Sequence, residues 1–203
     1  VTKLKSAKPD VIFHTGYNPA ITLLLRQARE QGLKVGAIVG QGAGYSVYDK
    51  LKEGLGDDSN YLFTIDPISI WLTNPKTLDP KLLPLIKMVG EQFDKMEPGA
   101  SRSAHVGMSA SNIYVFFTQV LPVAIKKYGG IDGEARRKAA LDVDIPEGGT
   151  MMGFGVKFAP ETDEMAGQNM RAFPVVTQYV NGKATVVWPK SQQQAEPVLP
   201  LPA

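Results

Sequence analysis

Three short apolar runs lie within residues 1–66, separated by stretches of helical periodicity, and this alternation constrains the fold more than any other feature. Val11 to His14 is the first run. Asn18-Pro19 then supplies an N-cap and a first-turn proline, and Ile21, Leu24, Leu25 and Ala28 recur at helical spacing until Gly32 stops the helix. A second run, Val35 to Val39, ends in glycines, after which Tyr48, Leu51 and Leu55 mark another helix and Tyr61 to Ile65 a third strand. Strands joined by helical crossovers run parallel, with right-handed connections. The pattern therefore predicts an α/β fold with an open parallel sheet.

From Asp66-Pro67 the texture changes. Prolines 67, 75, 80, 84 and 98 punctuate the next stretch, with one helix expected from Asp79-Pro80 to about Lys95. Ser103 to Tyr128 reads as the longest helix, kinked at Pro122, and Asp132 to Leu141 as a shorter one. The last third turns to β signals: Met151 to Phe158, Phe173 to Val180 and Ala184 to Trp188, the last two joined by Asn181-Gly182, a preferred hairpin pair. The Gln- and Pro-rich tail beyond Trp188 is expected to be extended and surface-bound.

With 43% apolar and 21% charged residues, the 203-residue chain can bury a core in one domain or two small ones, which excludes disorder and collagen. A formal net charge of +2 gives no reason to expect a nucleic-acid partner. The absence of cysteine removes disulfides, thiolate metal sites and cysteine nucleophiles, and leaves the redox compartment open. No uninterrupted apolar run approaches the roughly 18 residues that span a bilayer, and no basic-then-apolar signal segment opens the chain, so no membrane insertion is expected. Beginning with Val1 in mid-pattern, the sequence reads as a piece of something longer.

In an open parallel sheet, ligands lie beyond the carboxyl ends of the strands, where loops and helix starts expose N–H groups. Two loops qualify here: Thr15-Gly16-Tyr17-Asn18, and Gly40-Gln41-Gly42-Ala43-Gly44-Tyr45. The second has the outline of a dinucleotide fingerprint, with Asp66 ending the next strand. However, the third glycine should stand three residues after the second, and position 45 is tyrosine. No Gly-Lys-Ser or Gly-Lys-Thr follows to make a phosphate loop, so no cofactor is expected. A turn that simply needs small residues accounts for the glycines but less well for Gln41 and Tyr45.

His14 and His105 have no metal-ligand partner at helical or hairpin spacing. His14 reads as a packed or hydrogen-bonded strand-end residue, and His105 as a residue at a helix start that could equally be exposed. Ser46, Ser109 and Ser111 lack a nucleophile-elbow setting, Asp57-Asp58 reads as a solvated turn, and Arg136-Arg137-Lys138 as the outer face of a helix.

The stretch PDVIFHTGYNPAITLLLRQAREQGLKVGAIVGQGAG resembles the periplasmic solute-binding proteins of branched-chain amino acid ABC transporters, the Leu/Ile/Val-binding family. Gly16-Tyr17, Leu25-Arg26-Gln27-Ala28-Arg29 and Gly32-Leu33-Lys34 carry it in order and spacing, and it continues more weakly into Gln178-Tyr179. The resemblance implies a type I periplasmic-binding-protein-like fold: two α/β lobes, linked by three crossing strands and closing on a ligand. Residues 1–66 would belong to the C-terminal lobe, 67–170 to the later part of the N-terminal lobe, and 171–203 to the return into the C-terminal lobe. The fold would be incomplete, lacking most of the N-terminal lobe and its carboxylate-holding serine and threonine.

On that template Tyr17 matches the tyrosine lining the ligand, flanked by Gly16. Gln41, flanked by Gly42, falls where amino-acid binders carry a glutamate for the ligand ammonium. His105 aligns with an aromatic residue reaching the ligand from the other lobe, with Met108 its neighbour. The family implies a non-enzymatic periplasmic protein that captures a small carboxylated solute, amino acid-like or an aromatic acid, in an interlobe cleft and delivers it to a membrane permease. It implies no nucleic acid, metal or cofactor. Alternatives are the ligand-sensing domain of a receptor or regulator, or an NAD-dependent dehydrogenase using the glycine loop; an upstream signal peptide or DNA-binding module would separate importer from regulator.

Overall fold

The computed structural model describes residues 1–100 and 102–202. The chain forms two compact units, one built from Val1–Pro67 together with the segment from Pro174 onward, the other from Ile68–Phe173.

The first unit is a mixed five-stranded sheet in the order β1-β2-β3-β4-β5. It comprises α1 (Thr2–Ala7), β1 (Val11–Thr15), α2 (Ala20–Glu30), β2 (Ala37–Gln41), α3 (Ala43–Ser46), α4 (Tyr48–Leu55), β3 (Phe63–Asp66), β4 (Val175–Val180) and β5 (Lys183–Trp188). Strands β1, β2 and β3 are parallel, as the crossover pattern requires, while β4 runs antiparallel to β3 and pairs with β5 in a hairpin. Asn181 and Gly182 turn that hairpin with φ of 49° and 77°, the left-handed pair of a type I′ turn. One face of the sheet is closed by a core of Ile21, Leu25, Tyr45, Leu51, Leu62 and Tyr179, with Tyr48 stacked on Tyr179 at 4.2 Å. The other face buries Ala37, Phe63 and Val187, but on β1 it leaves Phe13 exposed.

Several boundaries differ from the expectations. Strand β2 begins and ends two residues later and takes in Gly40 and Gln41, so the glycine loop is shorter than its sequence suggests. Asn18 does not cap α2, whose N-cap is Pro19 without a side-chain bond. Its carboxamide instead accepts from Thr22 Oγ1 (3.0 Å) and donates to Gly44 O (3.4 Å), tying the two loops together. The tail is more than surface-bound: Gln192 is buried, and the Gln178 carboxamide clasps the Val198 backbone by both its N–H (2.8 Å) and its carbonyl (3.0 Å).

The second unit contains α5 (Leu83–Met96), α6 (Ala104–Val115), α7 (Leu121–Tyr128) and α8 (Gly133–Asp142). Asp132 caps α8 by accepting from the backbone of Glu134 and Ala135, both at 3.0 Å. A π turn, Phe116–Val120, joins α6 to α7, with Leu121 N–H reaching back to Phe116 O; this widened turn, rather than a simple kink, precedes Pro122. The continuous helix Ala104–Tyr128 is 25 residues long and, by length and composition alone, apolar enough to cross a membrane. Neutral Ser, Asn, Thr and Gln interrupt this stretch without adding charge, so it contains no long uninterrupted apolar run. One core cluster of this unit is formed by Val120, Ala124, Ala135, Ala139, Val143 and Val156.

Met151 to Phe158 is not a strand. It is a series of turns making isolated bridges, Ile145 with Val156 and Phe158 with Asn169. Gly153 explains the error, since it sits at φ of 81° within the run, where an extended ladder cannot continue.

Candidate functional site

Thr15 and Gln41 are register partners at the carboxyl ends of β1 and β2, so Gly16-Tyr17 and Gly42 leave the sheet side by side. Thr15 Oγ1 donates to Gln41 Oε1 at 3.3 Å. Tyr17 is 72% exposed and Gln41 is exposed as well; neither contributes to a core. The side chains of Thr15, Tyr17, Asn18 and Gln41 carry no formal charge at neutral pH.

The glycines around this edge have steric reasons. A Cβ on Gly40 would lie 2.1 Å from the Tyr45 ring, and one on Gly44 would lie 2.7 Å from Gly16 O and 2.9 Å from Tyr17 Cα. Gly42 turns at φ of 93°. Tyr45 itself is fully buried beneath Gly40, its hydroxyl 2.8 Å from His14 Nδ1 and its carbonyl accepting from the Tyr179 hydroxyl. Burial pushes the Tyr45 phenol up to about 12. Position 45, which the turn reading explained poorly, is therefore a core position, and His14 is a hydrogen-bonded strand-end residue. Sequence reasoning passed over two contributors to this edge, Thr15 as the partner of Gln41 and Asn18 as the tie between the loops. Strand register would have revealed the first.

His105 and Met108 lie in the second unit, half-buried in the first two turns of α6. Between them stands Gly107, whose missing Cβ lets the helix approach the Ile70 backbone, 3.1 Å from where that atom would be. The structure thus brings Gly16, Tyr17, Gln41 and Gly42 together within one unit and places His105 and Met108 in the other. At the opposite end of β1 and β2, Lys5, Lys8, Asp10 and Lys34 line an open groove of about 540 Å³ that none of the sequence-selected residues enters. Among the described residues no group of three or more His, Cys, Asp or Glu is arranged to hold a metal ion.

No protein-family model matches the chain. A Leu/Ile/Val-binding protein homologue from Brucella suis is 32% identical over 200 residues, covering 98% of this chain and 46% of the relative. The chain is a homologue of the Leu/Ile/Val-binding proteins. It spans about half the length of the curated relatives it matches. Among solved structures, an extracellular ligand-binding receptor from Rhodopseudomonas palustris superposes with a TM-score of 0.66 at 24% identity, over 92% of this chain and 50% of the receptor. A leucine binding protein from Thermotoga maritima gives 0.62 at 23% identity, over 91% and 45%. The fold is therefore that of the type I periplasmic binding proteins, represented in part.

Proposed function

We propose that the chain is the C-terminal portion of the solute-binding component of an ABC importer, a periplasmic, non-catalytic protein that takes a small carboxylated solute and hands it to a membrane permease. Residues 1–66 and 171–203 are assigned to one lobe and 67–170 to part of the other, with the solute in the interlobe cleft that the family resemblance implies. The observation that carries this reading is the exposure of Tyr17 beside Gln41, at the carboxyl ends of parallel strands, in a chain homologous to solute-binding proteins along nearly its whole length. A large ring facing solvent, with no packing role of its own, offers a ligand apolar contact and a hydroxyl handle.

Gln41 and Gly42 supply the second wall of the same edge, and His105 and Met108 are assigned to the opposing lobe. A neutral amide at position 41 can hydrogen-bond a ligand but cannot offset the desolvation of a buried ammonium. The test is a calorimetric titration of the longer protein and of the 203-residue chain with L-leucine and with benzoate. Binding of either probe to the longer protein, far weaker in the chain alone, supports the reading. Equal affinities would confine the site to this chain and overturn the lobe assignment, and binding of neither probe by the longer protein would overturn the assigned solute class.

A further inference from the structure

We infer that Thr15 is a positioning residue that sets the ligand chemistry of this edge by fixing the Gln41 carboxamide with its N–H groups outward. The inference deepens the proposed function and rests on that edge being a binding surface. A carboxamide offers one acceptor oxygen and two donor hydrogens. Here Thr15 Oγ1 donates to Gln41 Oε1 at 3.3 Å across register-paired strand ends, which holds the oxygen toward Thr15 and turns the Nε2 hydrogens away from it. Both side chains are exposed, so the arrangement faces whatever occupies the edge.

An N–H pair in an uncharged setting matches an oxygen: a carboxylate, a carboxamide or a keto group. An ammonium would meet the N–H groups first, would reach only the second lone pair of an oxygen held toward Thr15, and would find no charge to compensate its own. The edge therefore selects a solute that presents an acceptor at this point, such as a 2-oxo acid, over the amino acid of the same shape. Neither residue could do this alone, because an unanchored glutamine turns either end of its amide toward the ligand.

The test uses the longer protein that contains this chain, ¹⁵N-labelled, with the Gln41 side-chain NH₂ signals identified by their loss in Gln41→Leu. L-leucine and 4-methyl-2-oxopentanoate are added to the parent protein, to Thr15→Val and to Thr15→Ser. The expected result is a motionally restricted Gln41 amide in the parent, released in Thr15→Val and restored in Thr15→Ser. The oxo acid should shift the Gln41 NH₂ and Tyr17 ring signals with about tenfold tighter binding than leucine, a preference that shrinks in Thr15→Val and returns in Thr15→Ser. If Tyr17 responds to a probe but Thr15→Val leaves the amide and the preference unchanged, the Thr15 role is wrong while the binding edge stands. Tighter binding of leucine overturns the acceptor preference. If neither probe moves Tyr17 or Gln41 although Thr15→Val frees the amide, the reading of the edge as a binding surface falls, and the preference with it.

Discussion

Two connections leave the same end of adjacent parallel strands, and each carries a tyrosine. Tyr17, after β1, is 72% exposed, and Tyr45, after β2, is fully buried. The second fills the space that Gly40 leaves, holds His14 and receives the Tyr179 hydroxyl on its carbonyl. The first has no such duties. The same residue type at the same sheet edge thus separates packing from recognition: where burial, a missing Cβ and hydrogen bonds account for a side chain, no ligand is needed to explain it. What is left after that subtraction is Tyr17 with the Thr15–Gln41 pair.

The comparison breaks most visibly at Tyr45. Tyr45→Ala removes a buried ring from the core that also holds Ile21, Leu25, Leu51 and Tyr179, and is expected to cost about 3 to 5 kcal/mol of folding stability by urea unfolding. Gly40→Ala should be destabilising by about 1 to 3 kcal/mol for the complementary reason, that its methyl meets the same ring. A Gly40→Ala protein as stable as the parent would show that Tyr45 is not locked beneath the strand.

Tyr17→Ala should do the opposite. Its stability is expected within about 0.5 kcal/mol of the parent, since an exposed side chain contributes little to folding. Solute binding by the longer protein should weaken by about 1 to 4 kcal/mol. A large fall in melting temperature with unchanged affinity would place Tyr17 with Tyr45 among the packing residues.

How far this division could be read from sequence depends on whether its cause is local. The strand–helix alternation, the stop at Gly32, the Asn181-Gly182 turn and the short helix near Asp132 to Leu141 all follow from neighbouring residues, and each appears in the fold. The end of β2 was misplaced because the apolar run beginning at Val35 and the glycines from Gly40 onward give no sharp boundary; the hydrogen bonds to β1 and β3 decide it. The burial of Tyr45 was hidden for a related reason. It depends on the void above Gly40 and on His14 and Tyr179, contacts separated by up to 134 positions in the chain. Met151 to Phe158 failed in the other direction, where an apolar run suggested a strand and Gly153 at positive φ prevented one. The exposure of Tyr17 and its nearness to Gln41 also needed coordinates, although the family resemblance had already singled out both residues.

Alkaline pH sharpens the comparison on a smaller scale. Burial raises the Tyr45 phenol from 10.0 to about 12, so the unfolded chain loses this proton before the folded one does. The stability this contributes is fully present below pH 10 and is lost as the pH rises through about 12, at about 1.4 kcal/mol per pH unit for one group. Tyr179 is raised in the same direction by its own burial, followed by the charge of Asp66, so Tyr45→Phe should reduce the alkaline slope without abolishing it. Urea unfolding at pH 8, 10 and 11 reads this directly. A slope unchanged by Tyr45→Phe would mean that the phenol meets solvent.

The smallest expected effects come from removing one oxygen from each tyrosine. At neutral pH, Tyr45→Phe keeps the ring beneath Gly40 but deletes the 2.8 Å contact with His14 Nδ1, leaving that nitrogen to find water at the half-buried strand end. A cost of about 0.5 to 1.5 kcal/mol is expected, the net worth of one intramolecular hydrogen bond. Tyr17→Phe deletes a hydroxyl that already faces solvent, so it should leave folding unchanged and affect binding only insofar as the solute uses that oxygen. Comparing the two Phe variants holds ring size and hydrophobicity constant, which the alanine variants do not. Equal folding costs for the two would show that the His14–Tyr45 contact contributes no more than a solvated phenol, leaving packing under Gly40 as the sole reason for Tyr45.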